Sequence, residues 1–281
     1  MAVNISKVFL IVQKEITDSI NNKWFIIYTF SLTLLAILFV YLGYSSGSII
    51  GYVGYSKTAA SLINLILLFI PLIALITGSI SISGERENKT LPYLLSHPIN
   101  KIEIFIGKYI GILASIMFAI FLSFGTAGIL IYILGTSESS INYIVATFLP
   151  VLLASSLLSM GFLISILNQR VSRSISIAIL VWFIFLIIGD LGIIGAINGL
   201  NLGVKETFYL TIINPLEAYK IASILTLTER FEILGPVGVY ALNTLGKSVL
   251  LILLILVQVV WAIVPLLISI LHFCYFRKEE L

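Results

Sequence analysis

The chain has 281 residues, 59% of them apolar and only 10% charged, whereas an ordinary soluble domain is about half apolar and about a quarter charged. The net charge of +3 is too diluted to argue for a nucleic-acid partner. The single cysteine, Cys274, excludes an internal disulfide and any cysteine-based metal cage.

A helix crosses a bilayer core of about 30 Å with roughly 20 apolar residues. Residues 1–23 come before the first such run. They place Ile5, Val8, Phe9, Val12, Ile16 and Ile20 at helical spacing, with Lys7, Lys14, Glu15 and Asp18 mostly on the other face. That pattern predicts a helix lying in the headgroup layer; the alternative is a solvated arm. No small-residue cleavage site follows a short apolar stretch, so the first span is expected to be retained. Six runs qualify as spans: 24–43, 62–82, 109–134, 143–167, 175–196 and 248–276. The segments between them leave no room for a sizeable soluble domain, so residues 1–281 read as one membrane domain. Pro71, Pro150 and Pro265 fall inside spans two, four and six, where a missing backbone donor bends a helix. Gly107 with Gly111 and Gly195 with Gly199 have small-xxx-small spacing, which a glycine-rich membrane chain also supplies by chance.

Between spans two and three, residues 83–108 mix charges of both signs with helix punctuation. Thr90 is placed to cap a short apolar helix carrying Leu91, Leu94 and Leu95 and stopped by Pro98, with Pro92 in its first turn. Asn100 and Glu103 form a second capping pattern that starts the lead-in to span three. The expected product is a cytoplasmic elbow whose movement is passed to two spans. A charged turn that merely anchors both spans at the headgroups is the competing reading.

Asp190 lies in span five, about fifteen residues or roughly 23 Å from its cytoplasmic end. Such an acid needs a partner or water; it either faces an outer vestibule or dimer interface, or snorkels to the outer headgroups. In the external segment 197–247, Asn214, Pro215 and Glu217 read as a helix start for a helix from Pro215 to about Leu227. This helix is expected on the outer membrane surface with Leu216, Tyr219 and Leu227 facing inward, against a loop without a role. Residues 241–248 look like a P-loop with alanine in place of the first glycine and no preceding strand, so no nucleotide site is expected in this chain. His97 and His272 lack the neighbours of a metal site; His97, next to Pro98, is expected to pack within the elbow.

Eleven of the sixteen lysines and arginines fall on the side that carries the termini and the elbow. Positive charge marks the cytoplasmic side, so both termini are expected inside the cell.

The string Glu85-Arg86-Glu87-x-x-Thr90-Leu91-x-x-Leu94-Leu95-Ser96-x-Pro98-Ile99, followed by Asn100-Lys101 and Gly107-Lys108, resembles the signature of ABC-2 type permeases, and it follows the second of six spans as in that family. Pro92 departs from the acidic residue usual there, which leaves in doubt any role of a carboxylate at that position. Gly189-Asp190-Leu191-Gly192 and Asn214-Pro215-Leu216-Glu217-Ala218-Tyr219 are most similar to the NosY-like branch, associated with maturation of the copper sites of nitrous oxide reductase. The resemblance implies an all-α, type V exporter-like permease in the cell inner membrane. It further implies a second copy of the permease, two copies of a separate cytoplasmic ATPase that holds ATP and Mg, and an external accessory protein. Glu85, Arg86, Glu87, Thr90, Leu91, Leu94, Leu95, His97 and Pro98 would then couple to the ATPase, and Asn214, Pro215, Glu217 and Tyr219 would meet the external protein. A general exporter of a drug, lipid or other small molecule and a proton-coupled transporter using Asp190 are the rival functions. An intramembrane enzyme is disfavoured, because no paired carboxylates, metal motif or activated nucleophile stand out in the spans.

Overall fold

The computed structural model describes residues 4–46, 51–96, 99–133, 140–198, 203–227 and 235–275. Every regular element among them is an α-helix: α1 (Ile5–Asn21), α2 (Lys23–Ser46), α3 (Gly51–Ile80), α4 (Ser83–Glu87), α5 (Leu91–Ser96) and α6 (Lys101–Ile133), then α7 (Ser140–Leu167), α8 (Val171–Asn198), α9 (Val204–Ile213), α10 (Pro215–Leu227), α11 (Gly235–Leu245) and α12 (Lys247–Tyr275). Six of these, α2, α3, α6, α7, α8 and α12, are long and apolar enough to cross a membrane, in agreement with the six expected spans. The helices run unbroken through Pro71, Pro150 and Pro265.

At the centre, α3 packs along α7, with α12 on the far side of α7 and α8 beside α3. The close approach depends on two facing glycines. A Cβ on Gly78 would lie 2.8 Å from the Leu158 carbonyl oxygen, and one on Gly161 would lie 2.9 Å from Gly78 Cα. Lipid tails are as apolar as leucine, so helices in a bilayer gain chiefly from such close contact rather than from leaving water. Around this crossing Leu153, Leu157, Leu158 and Phe162 are fully buried, whereas Ile252, Leu256, Val260 and Ile263 of α12 are about half exposed and form an outward apolar face. The α2–α6 pair is joined by Thr33 and Ser123 hydroxyls at 2.9 Å, and Tyr109 of α6 donates to the Ser155 carbonyl of α7 at 3.0 Å. Both bonds satisfy polar groups that lipid cannot.

Helix α1 divides its apolar and charged residues between an exposed side and a side seated on α6. Ile5, Phe9 and Ile20 are exposed, while Ile11 and Glu15 are buried against α6. Gly107 and Gly111 make this possible, since a Cβ at either would sit 2.7 Å from Ile11 Cβ or 2.6 Å from Glu15 Cβ. The glycine pair that chance alone could supply is therefore the seat of α1. Gly195 has no described surroundings, and Gly199 lies outside the described residues.

The larger correction concerns α10. Its start is as expected, with the Leu216 N–H donating to Asn214 Oδ1 at 3.0 Å. Its position is not: every residue from Pro215 to Leu227 except Lys220 is buried, and α10 packs against α3, α7, α8, α9 and α12. It lies inside the bundle, joined to the half-exposed α9, rather than on the outer surface. The α11–α12 junction turns at Gly246, whose φ of +76° suits glycine, and divides the P-loop look-alike between two helices.

Candidate functional site: a charged hub at the elbow

Short helix α4 holds three consecutive charges, Glu85, Arg86 and Glu87, and each is spent on a different neighbour. The Lys108 ammonium of α6 lies 2.7 Å from Glu85 Oε1 and 2.7 Å from Glu15 Oε1 of α1, with side-chain exposures of 6%, 14% and 11% in that order. Arg86 Nη1 donates to the carbonyls of Ile166 at 2.6 Å and Asn168 at 3.3 Å, at the C-terminal end of α7. Glu87 Oε2 accepts the Val171 N–H at the start of α8 at 2.5 Å. The signs match the helix ends: a cation meets the negative end of α7 and an anion the positive end of α8. The end of α3 is fixed to α7 as well, because Ser165 Oγ accepts the N–H groups of Ile82 and Ser83 at 2.9 and 2.8 Å. One five-residue helix thus ties together α1, α3, α6, α7 and α8.

From α4 the chain turns at Lys89, the one non-glycine residue among those described with positive φ, at 56°. Thr90 stands at the expected cap position, but its hydroxyl donates back to the Glu85 carbonyl at 3.3 Å. In α5, Leu91 is buried at 1% exposure, Leu94 is half-buried, and Tyr93 is exposed at 70%. The Leu95 side chain and residues 97 and 98, the expected His97 and Pro98 stop, lie outside the described residues. The second capping pattern is present: Glu103 Oε2 accepts the Asn100 N–H at 2.9 Å, and Oε1 accepts the Asn4 N–H at 2.7 Å, which fixes the start of α1 to that of α6. Sequence reasoning missed Glu15 and Lys108. Lys108 stands beside Gly107 at the end of the string that resembles the family signature, and Glu15 one turn from Ile11, but neither is among the site residues that sequence reasoning picks out.

The other residues singled out lie elsewhere. Asp190 is within α8, with its side chain outside the described residues. Asn214, Pro215, Glu217 and Tyr219 are all buried, at 4%, 6% and 2% exposure for Asn214, Glu217 and Tyr219, so they are out of reach of an external protein as this chain is folded. They lie at the α9–α10 junction and in the start of α10. A helix break surrounded by lipid-facing helices leaves carbonyls that water cannot reach, and side chains meet them here. Trp261 Nε1 donates to the Ile213 carbonyl at 2.8 Å, Gln258 Nε2 to Pro215 at 2.5 Å, and Asn214 Nδ2 to Phe185 of α8 at 2.7 Å. Ser156 of α7 donates to Gln258 Oε1 at 3.1 Å. Gln258 was the legible clue, an amide in an otherwise apolar span. Gln258→Leu keeps the volume and strands the Pro215 carbonyl. It is expected to cost about 1–2 kcal/mol and to raise hydrogen exchange at residues 213–218, measured by mass spectrometry on the purified protein.

Among the described residues no three His, Cys, Asp or Glu side chains stand together as a metal set. A family model described as "ABC-2 family transporter protein" matches residues 9–281. Two relatives named "Probable ABC transporter permease protein NosY" are similar in sequence. The one from Stutzerimonas stutzeri is 27% identical over 78% of this chain and 82% of its own length. The one from Pseudomonas aeruginosa (strain ATCC 15692 / DSM 22644 / CIP 104116 / JCM 14847 / LMG 12228 / 1C / PRS 101 / PAO1) is 25% identical over 77% and 81%.

Proposed function

Since this chain belongs to the ABC-2 transporter family and is a transporter permease of that kind, we propose that the α4–α5 elbow receives force from a separate cytoplasmic ATPase. The observation that supports this reading is the hub: Glu85, Arg86 and Glu87 join the elbow to α6, α7 and α8, and through Lys108 to α1. Exposed groups of α5, Tyr93 among them, are left to be gripped, and Leu91 and Leu94 carry the push inward. In this role the three charged residues stiffen the lever rather than touch the ATPase. ATP and Mg are bound by that subunit, which is present in two copies beneath a pair of permeases. The assembly lies in the cell inner membrane with both termini cytoplasmic, and α1 rides at the headgroup layer with Ile5 and Phe9 toward lipid.

The names of the two relatives and the short motifs at 189–192 and 214–219 favour service to a nitrous oxide reductase copper site, with an external accessory protein, over general export. Asp190 would then border the outer part of the path. Isolation of tagged permease from native membranes tests the core of the reading. A stoichiometric nucleotide-hydrolysing subunit is the expected companion, and a permease that is pure and active alone refutes the proposal. Removal of the gene separates the branches: a copper-poor nitrous oxide reductase supports the first, and an unchanged enzyme with altered export supports the second.

A further inference from the structure

All five described acidic residues on the elbow side are engaged within the chain. Glu15 and Glu85 hold Lys108, Glu87 holds the Val171 N–H, Glu103 holds the Asn4 and Asn100 N–H groups, and Asp18 pairs with Lys14 at 3.8 Å. The cations are not all consumed. Lys89, Arg170 and Arg173 are exposed, and among the described residues no carboxylate pairs with them.

The hub brings these three to one place. The bond from Val171 N–H to Glu87 sets the 168–170 turn against α4, and Gly84 comes within van der Waals reach of the Val171 side chain, since a Cβ there would lie 3.8 Å from Val171 Cγ2. Lys89 follows Glu87 by two residues, Arg170 precedes Val171, and Arg173 is in the first turn of α8. None of the three positions serves helix stability. Lys89 holds a left-handed conformation that glycine would adopt without strain, and Arg170 and Arg173 crowd the positive end of α8.

We propose that Lys89, Arg170 and Arg173 form a cationic docking face beside the elbow that fits an acidic surface on the ATPase subunit. This rests on the coupling role of the elbow and adds the charge of the contact. It reverses the expectation that the elbow's acids do the docking, because Glu85 is held on buried Lys108 and Glu87, though exposed, is held by the Val171 N–H. An anionic lipid surface is the other partner that such charges attract. The position of the face between α4 and the α7–α8 turn, alongside the exposed part of α5, favours the protein.

The test uses the permease–ATPase complex isolated in neutral detergent, washed with increasing NaCl, for the wild type, for R170Q/R173Q, for K89Q/R170Q/R173Q and for R170K/R173K. The glutamine variants are expected to release the ATPase at lower salt, with at least about tenfold weaker association at low ionic strength. The gap should close near 1 M salt, where charges are screened within about 3 Å. The lysine variant should behave as wild type. Matching release curves for all variants overturn the proposal while leaving the coupling role intact. A difference that is absent in detergent and emerges only in phosphatidylglycerol vesicles also overturns it, since the face would then be a lipid anchor. A wild-type permease that brings no ATPase removes both readings before any variant is made.

Discussion

Lys108→Met is expected to destabilise the protein by about 3–5 kcal/mol and to uncouple α1 from the elbow. Glu15 and Glu85 each lie 2.7 Å from the one ammonium, and both are largely buried. Without it two carboxylates share a site with little water, and either one takes up a proton or the helices part. Glu85 Oε2 is already buried without a hydrogen-bond partner, so the local charge has nowhere else to go. The loss is a large share of the about 5–15 kcal/mol that holds a typical fold. Part of it should return in K108M/E15Q/E85Q, where no charge is left to strand. Thermal unfolding of the purified protein, followed by size-exclusion chromatography, reads the stability. An unchanged midpoint in K108M would show that the triad is not a tie.

Gly161→Leu is expected to prevent assembly of the α3–α7 core. The clash is with backbone, not with a flexible side chain: a Cβ would meet the Leu75 carbonyl oxygen at 2.8 Å and Gly78 Cα at 2.9 Å. Real Cβ atoms do not approach backbone so closely, so the helices must separate, and close contact is what stabilises them in lipid. Gly161→Ala should cost about 1–3 kcal/mol, and leucine should leave no monodisperse protein. Gly125→Leu is the matched control, because a Cβ there meets nothing within 4 Å. Accumulation of monodisperse G161L at the level of G125L would contradict the packing described.

The spans were legible in sequence because hydropathy over about 20 residues is a local property with a large free energy behind it. The elbow's helices were legible for a related reason. Thr90, Asn100 and Glu103 are local punctuation, and the Asn100–Glu103 cap forms as the spacing suggests. Which way a charge points is not local. Glu85, Arg86 and Glu87 read as surface groups until α6, α7 and α8 arrive to receive them. Glu15 stood on the charged face of α1, yet Lys108, 93 positions later, buries it. The Gly107–Gly111 spacing carries no mark of the helix that fills it. For α10 a length signal was present: residues 215–227 are too few to span and too apolar for open water, which fits a segment tucked into the bundle. Its place in the external segment instead suggested an outer surface, and Gln258 and Trp261, which close the break, lie more than forty residues further on.

The central claim is that a separate ATPase grips α5. Cys274→Ser removes the one native thiol, and Tyr93→Cys then places a single thiol at the exposed part of the elbow. Tyr209→Cys, exposed at 58% on α9, serves as the opposite-side control. Native membranes carrying either variant are treated with a maleimide–succinimide linker that joins this thiol to nearby lysines. A covalent adduct between position 93 and the nucleotide-hydrolysing subunit, with none from position 209, is the result this account requires. No adduct from position 93, or equal adducts from both, would contradict it.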